Sequence, residues 1–310
     1  MSIDIEKKYP MFSKTSNYLQ NKVNFFKISL PKLFENEYDY ELAEHICQIG
    51  FKASDCNDQK YLKNVDGLTQ LSLDFLKLQM LLEKEGRYQY TTFKEVKKMY
   101  ESSEDNGPNY LWGLYFSEIF WKIHCNLTKF FLNQFIEKTK ENGMVLEVPI
   151  GTGYYLSEFL LRKKKWKGLG IDLAENAVDF AKKICKFNNI EKQRYSIIQQ
   201  DFTNHTKQER YDRIICGEFL EHVEDPIKIM KQLTEVLSDD GKIFLTAAIW
   251  SGGVDHIYLY ENPEEVREHI KKSGLKIEKE LVQPVFDKDQ KNIEKGKIPI
   301  NYAAILSKSN

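Results

Sequence analysis

From Met144 onward, short apolar runs alternate with segments of helical period, which confines the chain to an α/β architecture with helices covering a mainly parallel sheet. Met144 to Val148 reads as the first strand, followed by a glycine turn and a helix over Tyr154 to Arg162. Gly168 to Asp172 is a second strand, and the helix from Ala174 to Phe187 sets Ala177, Ala181, Ile184 and Cys185 on one face. Tyr195 to Gln199 and Tyr211 to Cys216 are the next strands. Asp225 then caps a helix whose first position is Pro226, and Lys242 to Ala248 makes a fifth strand. Asn262-Pro263-Glu264-Glu265 predicts another helix, capped by Asn262 with Glu265 returning the capping-box bond, and Ser273-Gly274 stops it. Lys276 to Val282 and Ile298 to Ser307 are strands with no helical period between them. The expected fold is a Rossmann-like, seven-stranded, mainly parallel sheet with a C-terminal antiparallel hairpin at one edge.

Ser102 to Asn109 concentrates turn formers and divides the chain into a mainly helical N-terminal domain, residues 1–104, and a sheet domain, residues 105–310. Between the turn and the first strand, Ile119, Ile123, Leu127, Phe130, Phe131 and Phe135 recur at helical spacing, predicting one or two helices. Trp112, Tyr115, Phe116 and Trp121 in the same stretch read as core before they read as a cofactor lid. Charge excludes little but points away from nucleic acid, because 45 basic and 46 acidic side chains nearly cancel and form no basic stripe. No apolar run has bilayer length, and Met1 to Glu6 lacks the basic start and apolar core of a signal peptide. A cytoplasmic location with no membrane partner is the expectation. Cys47, Cys56, Cys125, Cys185 and Cys216 are scattered without a C-x-x-C pair, so free and mostly buried thiols are expected.

In an open α/β sheet, ligands sit beyond the carboxyl ends of the strands near the point where strand order reverses. After the first strand, Gly151 and Gly153 let the backbone turn tightly and approach a ligand, while the following helix offers its N-terminus. Asp172, at the tip of the second strand, can accept ribose hydroxyls or cap the next helix, and the two roles compete. Asp201 and Phe202 follow the third strand, where a carboxylate can receive an adenine amino group and an apolar side chain can cover the ring; an ordinary surface aspartate is the competing reading. A dinucleotide fingerprint would need a third glycine where this chain has Leu156, which argues against a nicotinamide cofactor.

Taken in order, these positions resemble the class I S-adenosylmethionine-dependent methyltransferases, in particular the branch of ubiquinone-biosynthesis and related small-molecule methyltransferases. The resemblance covers roughly residues 140–307. Glu147 matches that family's acidic residue, Gly151 and Gly153 match the last two of its three glycines, and Pro149 stands in place of the first. Its ribose carboxylate falls on Asp172, beside Leu173, and its adenine-contacting pair on Asp201 and Phe202. The run from Tyr211 through Glu218, Glu221 and His222 to Pro226 resembles the fourth-strand motif and is the most specific match. The resemblance implies S-adenosylmethionine as cofactor, with Glu218 near its amino-acid end, and methyl transfer to a small-molecule acceptor by in-line displacement.

Such a transfer needs no covalent nucleophile, but a hydroxyl or amine acceptor benefits from a base, for which Glu218, His222 and His256 are the candidates, with Glu221 beside them. Some relatives bind magnesium or a similar metal through a Glu-x-x-Glu-His cluster, so a metal-dependent O-methyltransferase is the alternative to a metal-free site. Tyr258 and Tyr260 fall in a segment that borders the family's acceptor pocket, although an alternating aromatic usually packs.

Residues 71–91 read as a helix followed by a short hairpin around Gly86, which is similar to the winged-helix-like N-terminal domain of many small-molecule O-methyltransferases. The resemblance implies a homodimer through this domain, or a substrate lid. A cofactor-sensing, DNA-binding winged-helix regulator is the alternative from another class, but Ser72 to Leu82 is strongly apolar and lacks the basic face of a groove reader.

Overall fold

The computed structural model describes residues 3–34, 36–101, 108–205 and 209–309. The N-terminal part is helical, with α1 (Ile3–Lys8), α2 (Pro10–Lys22), α3 (Asn24–Ser29), α4 (Glu37–Ala53), α5 (Asp58–Glu85) and α6 (Phe93–Glu101). Asn36 and Asn57 cap α4 and α5 by accepting from Asp39 N and Lys60 N. Two further helices, α7 (Pro108–Phe120) and α8 (Lys122–Phe130), lead through a wider turn at Phe131–Ile136 into the sheet.

The strands are β1 (Asn142–Glu147), β2 (Lys165–Asp172), β3 (Tyr195–Gln199), β4 (Tyr211–Cys216), β5 (Leu237–Ile249), β6 (Leu275–Pro284) and β7 (Ile300–Lys308). They form one sheet in the order β3-β2-β1-β4-β5-β7-β6. The first five are parallel, and β7 runs antiparallel to both β5 and β6. Helices α9 (Tyr154–Arg162), α10 (Glu175–Phe187), α11 (Pro226–Val236) and α12 (Pro263–Lys272) complete the alternation. The C-terminal pair is antiparallel as expected, but its second member lies inside the sheet. Residues 300–307 of β7 are all buried, whereas β6 exposes much of its length, so the more apolar strand takes the doubly covered position.

Capping follows the sequence closely. Asp225 accepts from Lys228 N at 3.0 Å and Asn262 from Glu265 N at 3.1 Å. Glu265 returns its bond to Glu261 N, one residue before the cap, at 3.0 Å.

Two cores flank the sheet. One holds Leu146, Ile214, Leu233, Leu245 and Tyr302. The other joins Val145, Phe159 and Phe244 to Trp112, Tyr115 and Phe116 of α7 and to Phe12, Ile46 and Leu68 of the N-terminal helices. Those aromatics are therefore core, and the N-terminal helices share an apolar interior with one face of the sheet. The expected domain boundary at 104/105 lies outside the described residues.

The winged-helix-like reading needs correction. Among the described residues no strand precedes Asn142, and α5 runs without a break to Glu85. Gly86, at φ +69°, ends it as a left-handed cap whose N–H donates to Leu82 O, so the glycine read as a hairpin turn is a helix stop. Without a wing, the regulator reading loses its structural basis. Of the cysteines, Cys47, Cys125, Cys185 and Cys216 are buried, Cys56 is exposed, and all five are free. Among the described residues no helix is long and apolar enough to cross a membrane.

Candidate active site

The chain leaves β1 toward β2 on one side and leaves β4 toward β5 on the other, so strand order reverses between these adjacent strands, the place where open α/β sheets bind ligands beyond their carboxyl ends. Gly151 (φ +46°) and Gly153 (φ +67°) turn the chain into α9 in a conformation that glycine adopts at least cost. Their surroundings differ. A Cβ on Gly153 would lie 2.6 Å from Ala181 Cβ, so this glycine lets α10 pack close; a Cβ on Gly151 would meet nothing within 4 Å.

Asp172 is 8 % exposed and ties two loops together. Its Oδ2 accepts from Gly151 N and its Oδ1 from Ala174 N, each at 2.9 Å. Burial pushes its pKa up, and the backbone N–H groups, then the charge of His222, oppose that shift. Each carboxylate oxygen can accept a further bond, so loop-tying and ligand-binding are compatible. Glu147 is buried, and its Oε2 accepts from Leu156 N at 2.7 Å in the first turn of α9, whose cap residue Gly153 offers no side chain. Burial holds its pKa well above the usual carboxylate range.

Asp201 is exposed, with Oδ1 accepting from Thr203 N and Oγ1 at 2.8 Å. Phe202 is buried against the rings of His205 and Phe219, and half-buried Leu173 accepts from Gln199 Nε2 through its carbonyl.

Beyond β4 the polar groups crowd. Glu218 adopts φ +45°, and its N–H donates to Thr246 Oγ1 at 3.0 Å. A non-glycine residue held there stores backbone strain of a kind that recurs at functional sites. Burial, and next the carboxylate of Glu221, hold its pKa well up. Glu221 is fully buried, with Oε1 accepting from Ala248 N at 3.4 Å, and its carbonyl accepts from Ile257 N and Tyr258 N. Glu218 Oε1 and Glu221 Oε2 are buried without a hydrogen-bond partner among the described residues.

His222 Nδ1 lies 3.4 Å from Asp255 Oδ2. Burial pulls its pKa down, but Asp255 and Glu221 outweigh that and carry it up to about 9. His256 stands edge-on to it, ring centroids 4.8 Å apart, and burial together with the His222 charge pushes its pKa down. One ligand atom each from Glu221, His222 and His256 lies within 4.8 Å of the others. Glu221 and His222 thus meet His256, as their positions after two adjacent strands suggest, and Glu218 is not part of that trio. Tyr258 and Tyr260 spend their hydroxyls elsewhere, on Glu265 and His269.

The methyltransferase domain family matches residues 122–278, just over half of the chain, spanning the glycine turn, Asp172 and the cluster beyond β4. The chain belongs to this family. The sheet order and the family match together put it among the class I S-adenosylmethionine-dependent methyltransferases. Three ubiquinone biosynthesis O-methyltransferases are similar to it. That of Hydrogenovibrio crunogenus is 34% identical over 116 residues, 37% of this chain and 46% of the relative. That of Coxiella burnetii is 36% identical over 111 residues, 35% and 44% of the two chains, and that of Neisseria meningitidis is 29% identical over 102 residues, 33% and 42%. The chain thus spans under half the length of the curated relatives it matches. A solved mitomycin 7-O-methyltransferase shares the fold, with TM-score 0.51 at 12% identity over 76% of this chain and 68% of that one.

Four residues packed around these groups carry no prior assignment from the sequence. Thr246 lies on β5 and Asp255 directly before His256, where a carboxylate adjacent to a site histidine was a usable signal. Gln79 and Tyr88 come from the N-terminal part and reach Trp250, Ser251 and Gly252 across more than 160 residues of sequence, for which the sequence holds no local mark.

Proposed function

We infer that the chain methylates a small-molecule acceptor, with an oxygen nucleophile first among the choices, using S-adenosylmethionine bound at the mouth of β1 and β2. The observation that carries this reading is the pairing of the open Gly151 turn with the buried carboxylate of Asp172, which bonds the turn's own N–H. In that role Gly151 admits the cofactor close to the backbone, and Asp172 accepts the ribose hydroxyls with its remaining lone pairs. Asp201 receives the adenine amino group, with Phe202 and Leu173 as the apolar surroundings. Glu147 and Gly153 act from beneath, by holding α9 and α10 in place. The unpartnered Glu218 Oε1 suits the ammonium end of the cofactor.

Bound there, the cofactor supplies a methyl group already activated on a sulfonium. The protein's part is then to align the acceptor, exclude water and receive a proton. His256, kept neutral by burial and by the His222 charge, is suited to take that proton, and His222, charged at neutral pH, to hold an anionic acceptor oxygen. Incubation with methyl-labelled cofactor and a metabolite extract tests the reading: label in a small-molecule product supports it, and label confined to protein or nucleic acid overturns it.

The convergence of Glu221, His222 and His256 favours a second reading, cation-assisted O-methyl transfer. A divalent ion held by these three would lower the pKa of an acceptor hydroxyl, with Asp255 orienting His222 from behind. Binding it must displace the proton that His222 otherwise keeps. Loss of turnover in EDTA, restored by added magnesium, manganese or zinc, supports this version; full turnover in EDTA removes it. A homodimer through the apolar, exposed Leu73, Leu76 and Met80 of α5 belongs to the same proposal and is read by sedimentation.

A further inference from the structure

The loop after β5, Trp250 to His256, is held from outside the family-matched segment. The Gln79 carboxamide on α5 binds it like a peptide group, with Nε2 donating to Trp250 O at 3.1 Å and Oε1 accepting from Gly252 N at 2.9 Å. Gly252 permits this approach, since a Cβ there would lie 2.5 Å from Gln79 N and Leu78 C. Nine residues on, the Tyr88 ring stands edge-on to His256 at 5.4 Å, and its hydroxyl donates to Ser251 O at 2.7 Å. Gln79 and Tyr88 are both buried.

The proton count around His256 then has one solution. Tyr88 has a single hydroxyl proton, committed to Ser251 O, and a carbonyl oxygen only accepts. His256 Nδ1 lies 3.1 Å from Ser251 O and 3.1 Å from the Tyr88 hydroxyl oxygen. Both contacts are satisfied only when Nδ1 carries the ring proton, which leaves Nε2 as the basic nitrogen.

We propose that Tyr88 and Gln79 are positioning residues for His256, holding it as the Nδ1-protonated tautomer so that Nε2 is the atom available for chemistry beyond the strand ends. This deepens the assignment of His256 to the acceptor side and rests on it. The N-terminal helices accordingly furnish part of the working site, because α5 and the segment after it determine which nitrogen of a histidine 168 residues away can accept a proton or bind a cation. Tyr88 keeps its proton in this role, as burial and the carboxylates of Glu221, Glu218 and Asp255 disfavour its ionised form.

The test needs no acceptor. Full-length protein carrying 15N-labelled histidine is measured by long-range proton–nitrogen NMR at pH 8, with His256 assigned from the signal lost in His256→Asn. The expected wild-type pattern is a protonated Nδ1 and an unprotonated Nε2. Tyr88→Phe, which preserves ring volume, should raise the population of the other tautomer several-fold while affinity for S-adenosylhomocysteine stays within twofold. Gln79→Met should move it in the same direction by less. A wild-type His256 protonated on Nε2, or a tautomer ratio unchanged in a folded Tyr88→Phe protein, overturns the proposal. Loss of S-adenosylhomocysteine binding would instead count against the functional reading, so the two failures are distinguishable.

Discussion

The sheet region and the N-terminal helices both place polar groups beyond the carboxyl ends of the strands, but by different rules. Asp172, Asp201, Glu218 and His256 follow strands, where a short-period pattern followed by a turn marks each position in the sequence. Gln79 sits on a long helix and Tyr88 just past its end, and only the packing of α5 on the loop after β5 gives either a role. Strand tips are therefore addressed locally, and the helical wall is addressed by tertiary contact alone.

If the sheet region rests on such local rules, breaking one inside it should be costly. Gly153→Ala puts a Cβ on a left-handed residue and drives it into Ala181, so strain and overpacking together should remove about 3 kcal/mol of stability in urea unfolding. A loss below about 1 kcal/mol would show that α9 and α10 can separate freely.

Where the two regions meet, Glu118 of α7 offers a pH-dependent probe. Burial, opposed by hydrogen bonds from Tyr155 and Thr128 at 2.9 and 3.0 Å, raises its pKa to about 7. A carboxyl whose folded pKa exceeds its unfolded value stabilises the fold fully below the unfolded pKa and loses that contribution as pH rises toward the folded one. Wild-type protein should thus lose up to about 2–3 kcal/mol relative to Glu118→Gln between roughly pH 4.5 and pH 7. Parallel stability–pH curves for the two proteins would mean that the site between α7 and α9 is wet.

Most of the sheet was legible because its signals are short-range: the caps at Asp225 and Asn262, the glycines after β1 and the short apolar runs act within a turn or a strand. The hairpin expected around Gly86 failed for the same physical reason read the wrong way, since a left-handed glycine ends helices as readily as it turns strands. Tyr88 alternates with its neighbours as in a strand, yet its burial comes from Ser251 and His256, which no local period could reveal. Glu147 was legible as an acid at the end of β1, but its bond to Leu156 N depends on how α9 settles over the sheet. The smallest expected effect tests the local rule at its simplest: Asn262→Ala should cost about 1 kcal/mol, as for an ordinary lost N-cap, and a change of 3 kcal/mol or more would mean α12 is held at its first turn alone.

The central claim is that the glycine turn and Asp172 form a cofactor site. Titration calorimetry of the wild-type chain and Asp172→Ala with S-adenosylhomocysteine tests it most directly. Binding by the wild type, weakened by about 1.5–3 kcal/mol when the carboxylate is removed, is the predicted result. No heat of binding by the wild-type protein at millimolar ligand, or equal affinity in the two proteins, would contradict it.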